Sequence, residues 1–600
     1  MEIDVVKENF MVFLGANNHG KSNILRAIEF ALTPSMKPDK EHFFVSPSAN
    51  ETTLWVELVF EELTDKEKDI FERYILVNET VKVRKSAELT DDSVEVKYRG
   101  YVQEPQEWWL KTNAFERLNT REAIQSEIKN VPELQELINQ HPTGKITQNH
   151  VQTFQSEYIK NKRVQLTFEE ALEDSPLLGK KSVPAGAFPD FYLVPAVRDL
   201  SDEIKAKTTT LLGRLLQRAI QEMVAHDNHV MALATQLTSV FQQLNERPAE
   251  DIEHVTPSAL ARLEQEIKGA LQDHWKSEIA IELVAPGIEK LFSETLFHVN
   301  DGVKTLAERK GHGLQRAVLF ALLRAMVSNV RTSSANNTGT PVRNVSESVI
   351  FAIEEPEMFL HPHAQRQLSK DLHKIVKAPH HQVFITTHST HFVDMDQYRS
   401  IAIVAKDCPQ TGSTIRQCTQ ELFAGSDTKE KKERFHMAAW INPDRSEMFF
   451  AKKVIFVEGE TEHTILPYLA DKLGVFDPRV SVIDCGSKNN LPLYITIANA
   501  FQLKYVLIHD EDPVPPNCSG DKKTSAERTF ELNQEIQRKI DPCLGNVRKC
   551  SPDFEGMVGI SNNKANKKGK AIAALEHFEN KQADDIPDEL AEIVRHCFAL

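Results

Sequence analysis

Cysteine is scarce and late. The seven cysteines all lie at Cys408 or beyond, and no CxxC pair is among them, so a structural zinc lacks its ligand spacing. The thiols read as those of a reducing compartment. Long apolar runs are missing too. Stretches such as Ala317 to Leu323 are far too short to cross a bilayer, so no membrane role is expected. The amino terminus has no basic-then-apolar-then-small pattern, so no secretory signal is expected and a cytoplasmic location is. Positive charge is in deficit: Lys plus Arg number 71 against 87 Asp plus Glu, a formal net charge of −16. That balance argues against bulk electrostatic coating of DNA or membrane, while leaving room for a local basic groove. No internal repeat is evident. At 600 residues the chain exceeds a single hydrophobic core, and about two to four domains are expected.

What is present begins with "VFLGANNHGKSN", residues 12–23. Gly15-Ala16-Asn17-Asn18-His19-Gly20-Lys21-Ser22 fits G-x-x-x-x-G-K-[ST] in full, between an apolar strand and a helix predicted over Ser22 to Leu32. Gly15 and Gly20 let backbone N–H groups around Asn17 and Asn18 turn inward on phosphate oxygens. Lys21 offers a point charge to the β- and γ-phosphates of ATP, and the Ser22 hydroxyl can ligate one Mg²⁺. Farther on, Val349–Ile353 runs into Glu354-Glu355. An acid at a strand end can hold the water shell of that Mg²⁺, and the next can orient an attacking water. Alone, "EEPE" reads equally as an acid-rich helix start. The strand "QVFITTHST" that follows favours a site, with His388 placed to reach a γ-phosphate. In "RKGHGLQRAVLFALL", Gly311 and Gly313 precede a helix predicted from about Leu314, a second anion-facing helix start that includes Gln315.

A second chemistry lies near the carboxyl end. In "YVLIHDEDP", residues 505–513, an apolar strand runs into three consecutive acids. Asp510 and Asp512, two apart on an extended segment, are predicted to point the same way. Carboxylates converging on one spot suit a hard divalent cation. "VEGETE" adds Glu458 at a strand end and Glu462 in the first turn of a following helix; "PDFEG" adds Asp553 and Glu555 in alternation. Each cluster alone reads more readily as a solvated turn. Together, at three strand or turn ends of one α/β unit, they favour a metal site.

Between these sites the chain is harder to read. Residues 61–185 are mixed and charged. From about 201 to 275 the pattern is helical, with Leu212, Leu215, Ala219 and Met223, then Leu260, Leu263 and Ile267, at helical spacing. Thr256-Pro257 makes a plausible N-cap and first helical residue. "TTLWVELVF" reads as a second strand after the P-loop helix, residues 331–348 and 513–525 read as polar loops and 425–434 as a linker, which sets a boundary near 440.

The P-loop, "IEEPE", "TTHS", "VEGETE" and "DED", in that order, resemble the overcoming-lysogenization-defect (OLD) family of nucleases, relatives of the Gabija defence nuclease. "FYLVPAVRDLSDEIK" and "FFAKKVIFVEGETE" are similar to that family as well. The resemblance implies an α/β chain: an ABC- or SMC-like ATPase head in two parts, 1–190 and 301–440, with a helical, dimerisation-like insertion at 191–300 and a Toprim domain at 441–600. It implies that Gly313 and Gln315 act as a signature completing another head's ATP site, although the transporter-type serine is absent. About ten residues precede the P-loop strand, so the sheet is expected to lack an edge. The family pattern puts ligands for two Mg²⁺ or Mn²⁺ ions at Glu458, Glu462, Asp510, Asp512 and Glu555, and a phosphate-contacting base among Lys567, Lys568 and Lys570, with Lys570 favoured.

Glu355 and His388 would serve ATP turnover in the head. DNA is the implied substrate, with a homodimer or larger assembly and a helicase partner in anti-phage defence or DNA processing. The alternative is an SMC-like DNA-clamping repair ATPase with a non-cleaving Toprim platform. A primase or RNA-directed nuclease would share the metal site, though no polymerising or RNA-selective feature accompanies it.

Overall fold

The computed structural model describes residues 1–5, 9–46, 49–90, 93–179, 183, 186–196, 213, 228–245, 262–267, 281–283, 295–335, 348–377, 379–408, 412–422, 443–514, 521–551, 553–560 and 569–600. Leu212, Leu215, Ala219, Met223, Thr256, Pro257, Leu260, Lys567, Lys568 and the 425–434 linker lie outside them. The chain divides into two compact units, one of Met1–Val194, Pro341–Pro356 and Leu372–Leu600, the other of Pro195–Thr340 with Glu357–Asp371.

The first unit is built on a six-stranded sheet. Its order is Gly412–Gln417, Ile401–Cys408, Phe10–Leu14, His381–Thr386, Val349–Glu354, Asp190–Val194, parallel except for the hairpin at one edge. Phe10–Leu14 and Val349–Glu354 are buried at every position, as continuous apolar runs in a parallel sheet require. The P-loop strand is therefore interior. Strands from much later in the chain, His381–Thr386 and Ile401–Cys408, flank it on both sides. Asp190–Val194 pairs with Val349–Glu354, which brings 191–194 into this sheet and out of the expected helical insertion.

Thr53–Phe60, expected as the next strand of the P-loop unit, joins a separate antiparallel sheet with Val81–Leu89, Val94–Pro105 and Phe168–Leu172. Its exposure alternates, which is the mark of a strand with one solvated face. Within the stretch that resisted reading, Trp109, Leu134, Leu137 and Phe154 form a small helical core of their own. Lys85, 1% exposed, projects from the antiparallel sheet and donates to the carbonyls of Phe30 (2.8 Å), Thr33 (2.8 Å) and Met36 (2.9 Å). It thereby satisfies acceptors at the carboxyl end of the P-loop helix, Lys21–Leu32.

The carboxyl-terminal part of this unit has its own four-stranded parallel sheet, ordered Val480–Asp484, Lys453–Val457, Tyr505–Asp510, Gly545–Cys550. Ile455, Val457, Ile465, Leu466, Val506, Ile508, Phe578, Leu590 and Val594 make its core. Each such side chain contributes about 1.5–3 kcal/mol by leaving water. The segment expected as a loop over 513–525 is helical from Asp521, in Asp521–Lys539.

In the second unit, the helix predicted from Leu314 starts at His312 and runs to Ala335, into the stretch expected as loop. Arg316 is fully buried there, donating to the carbonyls of Met358 (3.1 Å) and Ala196 (3.0 Å).

Candidate nucleotide and metal sites

The P-loop turns where its glycines sit. Gly15 has φ +145°, and a Cβ there would meet the Val404 carbonyl oxygen at 2.3 Å; Gly20 has φ +94°. Asn18 also takes positive φ, +63°. These left-handed residues curl the loop, the backbone shape in which N–H groups can converge on a phosphate. The neighbouring edge hairpin holds it: Ser413 Oγ donates to the His19 carbonyl at 2.6 Å. Lys21, 6% exposed, donates to the carbonyls of Gly15 (2.9 Å) and Ala16 (3.1 Å) and lies 2.8 Å from His388 Nε2. Asn17, Asn18 and Ser22 are exposed.

The register lines up the remaining groups. Phe13 and Glu354 both pair with Thr386, so the P-loop, the acids and His388 all leave the carboxyl edge of adjacent strands. Glu354 is 8% exposed, Glu355 takes φ +43°, and His388 Nε2 stands 3.8 Å from Glu355 Oε1. A glycine-lined cradle, a helix amino terminus with its lysine and adjacent strand-end acids fit a nucleoside triphosphate with its Mg²⁺.

Gly313 and Gln315 lie in the second unit. Gly313 falls inside the first helical turn, and Gln315 is 4% exposed. Its amide donates to the carbonyls of Glu308 (2.8 Å) and Lys310 (2.9 Å), so it braces the preceding turn; it is not presented outward as the signature reading expects.

In the four-stranded sheet the strand order reverses between Lys453–Val457 and Tyr505–Asp510, and the crevice beyond the carboxyl ends at such a point is where open α/β sheets bind ligands. Glu458 and Asp510 stand on its two sides. Glu458 Oε1 accepts the Asp510 N–H (2.8 Å), and Asp510 Oδ1 accepts the Phe554 N–H (2.8 Å). Glu462, 6% exposed, joins them from the first turn of Glu460–Lys472. Burial, reinforced by the charges of Asp510, Glu458 and Glu555, pushes the Glu462 carboxyl up to about 8. Burial likewise raises Glu458 to about 7 and Asp510 to about 6, in each case against a backbone hydrogen bond. Carboxylates that repel one another at a buried to half-buried spot call for a counter-cation, and an all-oxygen donor set fits a hard divalent metal.

Two expected ligands are placed differently. The strand ends at Asp510, and Asp512 has φ +47°, so the pair does not share one face of an extended segment. Asp512 instead meets Lys488 Nζ at 2.9 Å. Asp553 and Glu555 do not alternate: Asp553 caps the short helix Phe554–Val558, accepting from the Gly556 N–H at 2.7 Å, and Glu555 lies in its first turn. Glu555 is paired with Lys570 at 2.7 Å. Among the described residues, no three His, Cys, Asp or Glu side chains converge into a ready-made metal cage.

The family described as AAA ATPase domain matches residues 1–393, more than half of the chain. The family described as overcoming lysogenization defect protein-like, TOPRIM domain matches residues 449–512. The chain belongs to the AAA ATPases and, through its Toprim domain, to the OLD family.

Among relatives, the OLD nuclease of Thermus scotoductus is 25% identical over 409 residues, 66% of this chain and 72% of that protein. The Old nuclease of Escherichia phage P2 is 24% identical over 333 residues, 54% of each chain, so only about half of that protein is spanned. Endonuclease GajA of Bacillus cereus strain HuB5-5 is 27% identical over 182 residues, 27% of this chain and 26% of that one. ATPase and Toprim domains together imply use of ATP and a divalent metal. Among the described residues, no helix is long and apolar enough to cross a membrane.

In this OLD-family chain the Toprim match takes in Glu458, Glu462, Asp510 and Asp512, while Glu555 and Lys570 lie beyond it. Sequence reasoning missed Lys488. It is 5% exposed and also donates to the Asp510 carbonyl at 2.5 Å. The signal was there in "CGSKNNLP": Gly486 takes φ +79°, and a lysine in a strand–turn–helix corner is the arrangement already recognised at Lys21.

Proposed function

We propose that this OLD-family chain is a divalent-metal-dependent DNA endonuclease whose ATPase head controls cleavage at the Toprim site, acting in anti-phage defence or DNA processing. The observation that carries this reading is the buried Glu462 beside the half-buried Glu458 and Asp510 at the strand-order reversal, all three held above the usual carboxylate range, with two lysines close by. In this reading those three carboxylates hold the metal, and Asp512 and Glu555 join when Lys488 and Lys570 turn to the DNA phosphates. A divalent pair, when bound, supplies an activated water and charge for the leaving oxygen.

The chain's own residues set the geometry. Glu458 fixes the Asp510 backbone, the Phe554 N–H orients the Asp510 carboxylate, and Lys488 holds the turn at Asp512. Lys570 is the group assigned to the scissile phosphate. In the head, Lys21 and the P-loop N–H groups would bind the triphosphate, Ser22 and Glu354 its Mg²⁺, and Glu355 with His388 would position water. A homodimer or larger assembly and a helicase partner belong to the same reading.

The test is cleavage of supercoiled plasmid with Mg²⁺ or Mn²⁺, with and without ATP, by wild type, Asp510→Ala and Lys21→Ala. Cleavage by wild type that Asp510→Ala abolishes is the expected result, and Lys21→Ala then reports whether ATP drives or restrains it. Metal-independent cleavage, or cleavage that survives Asp510→Ala, would overturn the proposal.

A further inference from the structure

Beside the candidate metal site lies a cavity of about 380 Å³ that its chemistry does not use. Its walls come from the helix Asp521–Lys539 and from the ends of the two strands Tyr505–Asp510 and Gly545–Cys550. Glu511, flanked by Asp510 and Asp512, lines it, so anything bound there sits one residue from the carboxylates.

Three features of the lining point to one ligand chemistry. Phe530 is 40% exposed, an aromatic face left open to a cavity whose other lining side chains are polar or charged. Arg538 and Lys549 add two cations in a chain of net charge −16. Asn533 is the third. It is 6% exposed, its Nδ2 donates to the Glu511 carbonyl at 2.8 Å, and its Oδ1 has no hydrogen-bond partner. The carbonyl it meets fixes which way the amide faces, so the acceptor is the unsatisfied atom. A buried acceptor without a donor costs roughly 1–3 kcal/mol, and a ligand N–H would recover it.

An open aromatic face, an amide acceptor and two cations are the equipment for a nucleotide: a base to stack, its exocyclic amino group to donate, a phosphate to neutralise. We propose that this cavity receives an unpaired nucleotide of the DNA strand next to the phosphodiester at the Toprim site, so that single-stranded or frayed DNA is held there in preference to intact duplex. The proposal rests on the nuclease reading for the identity of the strand. A base stacked inside a duplex cannot offer its face to Phe530, which is the origin of the preference.

The test measures binding by the full chain in EDTA, where no metal-dependent cleavage intervenes, so it stands apart from whether the protein cuts. The probes are a fluorescein-labelled DNA hairpin with a short single-stranded tail and the same hairpin with a blunt end. Phe530→Ala should weaken tailed-hairpin binding by roughly 5- to 150-fold, the range for losing one base–aromatic stack. Blunt-hairpin binding and ATPase activity should be unchanged, and Phe530→Trp should retain tail binding. Equal weakening on both hairpins, or no weakening on either, would overturn the proposal. So would Phe530-dependent binding of free dAMP or ATP without any Phe530 dependence for the tail, because the cavity would then serve a mononucleotide and not a strand.

Discussion

The ATPase head and the Toprim domain place their candidate sites alike, at the carboxyl edge of a parallel sheet, yet they assemble them in opposite ways. The head's cradle is one continuous stretch, Gly15 to Ser22, shaped by its own left-handed residues and closed on by Lys21. The Toprim cluster draws Glu458, Glu462 and Asp510 from separate elements, and no short segment contains it. The first is a property of local backbone; the second exists only when the sheet is folded. Local sites should therefore fail locally, while dispersed ones should depend on neighbours distant in sequence.

Substitutions can break this comparison, the largest expected effect being at the dispersed site. Asp510→Ala should cut metal-dependent plasmid cleavage by at least about 100-fold, more than the loss of an outer partner of a metal ligand costs, with ATP hydrolysis intact. Retained cleavage would remove the carboxylate cluster from the chemistry. Lys488→Met tests whether a neighbour brought in by the fold matters as the comparison demands. It takes away the ammonium that holds Asp512 and the Asp510 carbonyl, and cleavage rate should fall about 10- to 100-fold. An unaltered rate would reduce Lys488 to packing.

The contiguous site supplies the contrast. Lys21→Ala should weaken ATP binding in a nucleotide-binding titration by roughly tenfold or more, the loss of one charged phosphate contact, while ATP-free cleavage persists. Loss of ATP-free cleavage as well would show that the two sites are structurally inseparable.

The smallest effect on activity belongs to Lys85→Ala. Its ammonium meets three carbonyls at the far end of the P-loop helix, and its removal should cost about 2 kcal/mol and a few degrees of Tm. Cleavage per folded molecule should not change; a specific drop in ATP affinity would instead tie that cap to the loop.

Legibility in the sequence followed the same division. Phe10–Leu14, the glycines and the helix after them were readable because motif, period and turn chemistry coincide within a few residues. Thr53–Phe60 was readable as a strand but not as part of a second, antiparallel sheet, because alternation says that one face is solvated and not which partner it takes. Asp512 illustrates the limit at the acids. Two-residue spacing predicts a shared direction only if the strand continues, and φ +47° ends it. Gln315 shows the same limit in the second unit, since its glycine-rich neighbourhood suggested a ligand while burial turned its amide onto nearby carbonyls.

By itself, the sequence determined the phosphate cradle and the supply of carboxylates, since both follow from residue type and short-range backbone preference. Only the tertiary structure decided which carboxylates share a buried space and which are neutralised by lysines. That choice depends on strand order: pairing Lys453–Val457 directly with Tyr505–Asp510 brings Glu458 to the Asp510 backbone across more than fifty residues of chain. No local pattern encodes such a distance.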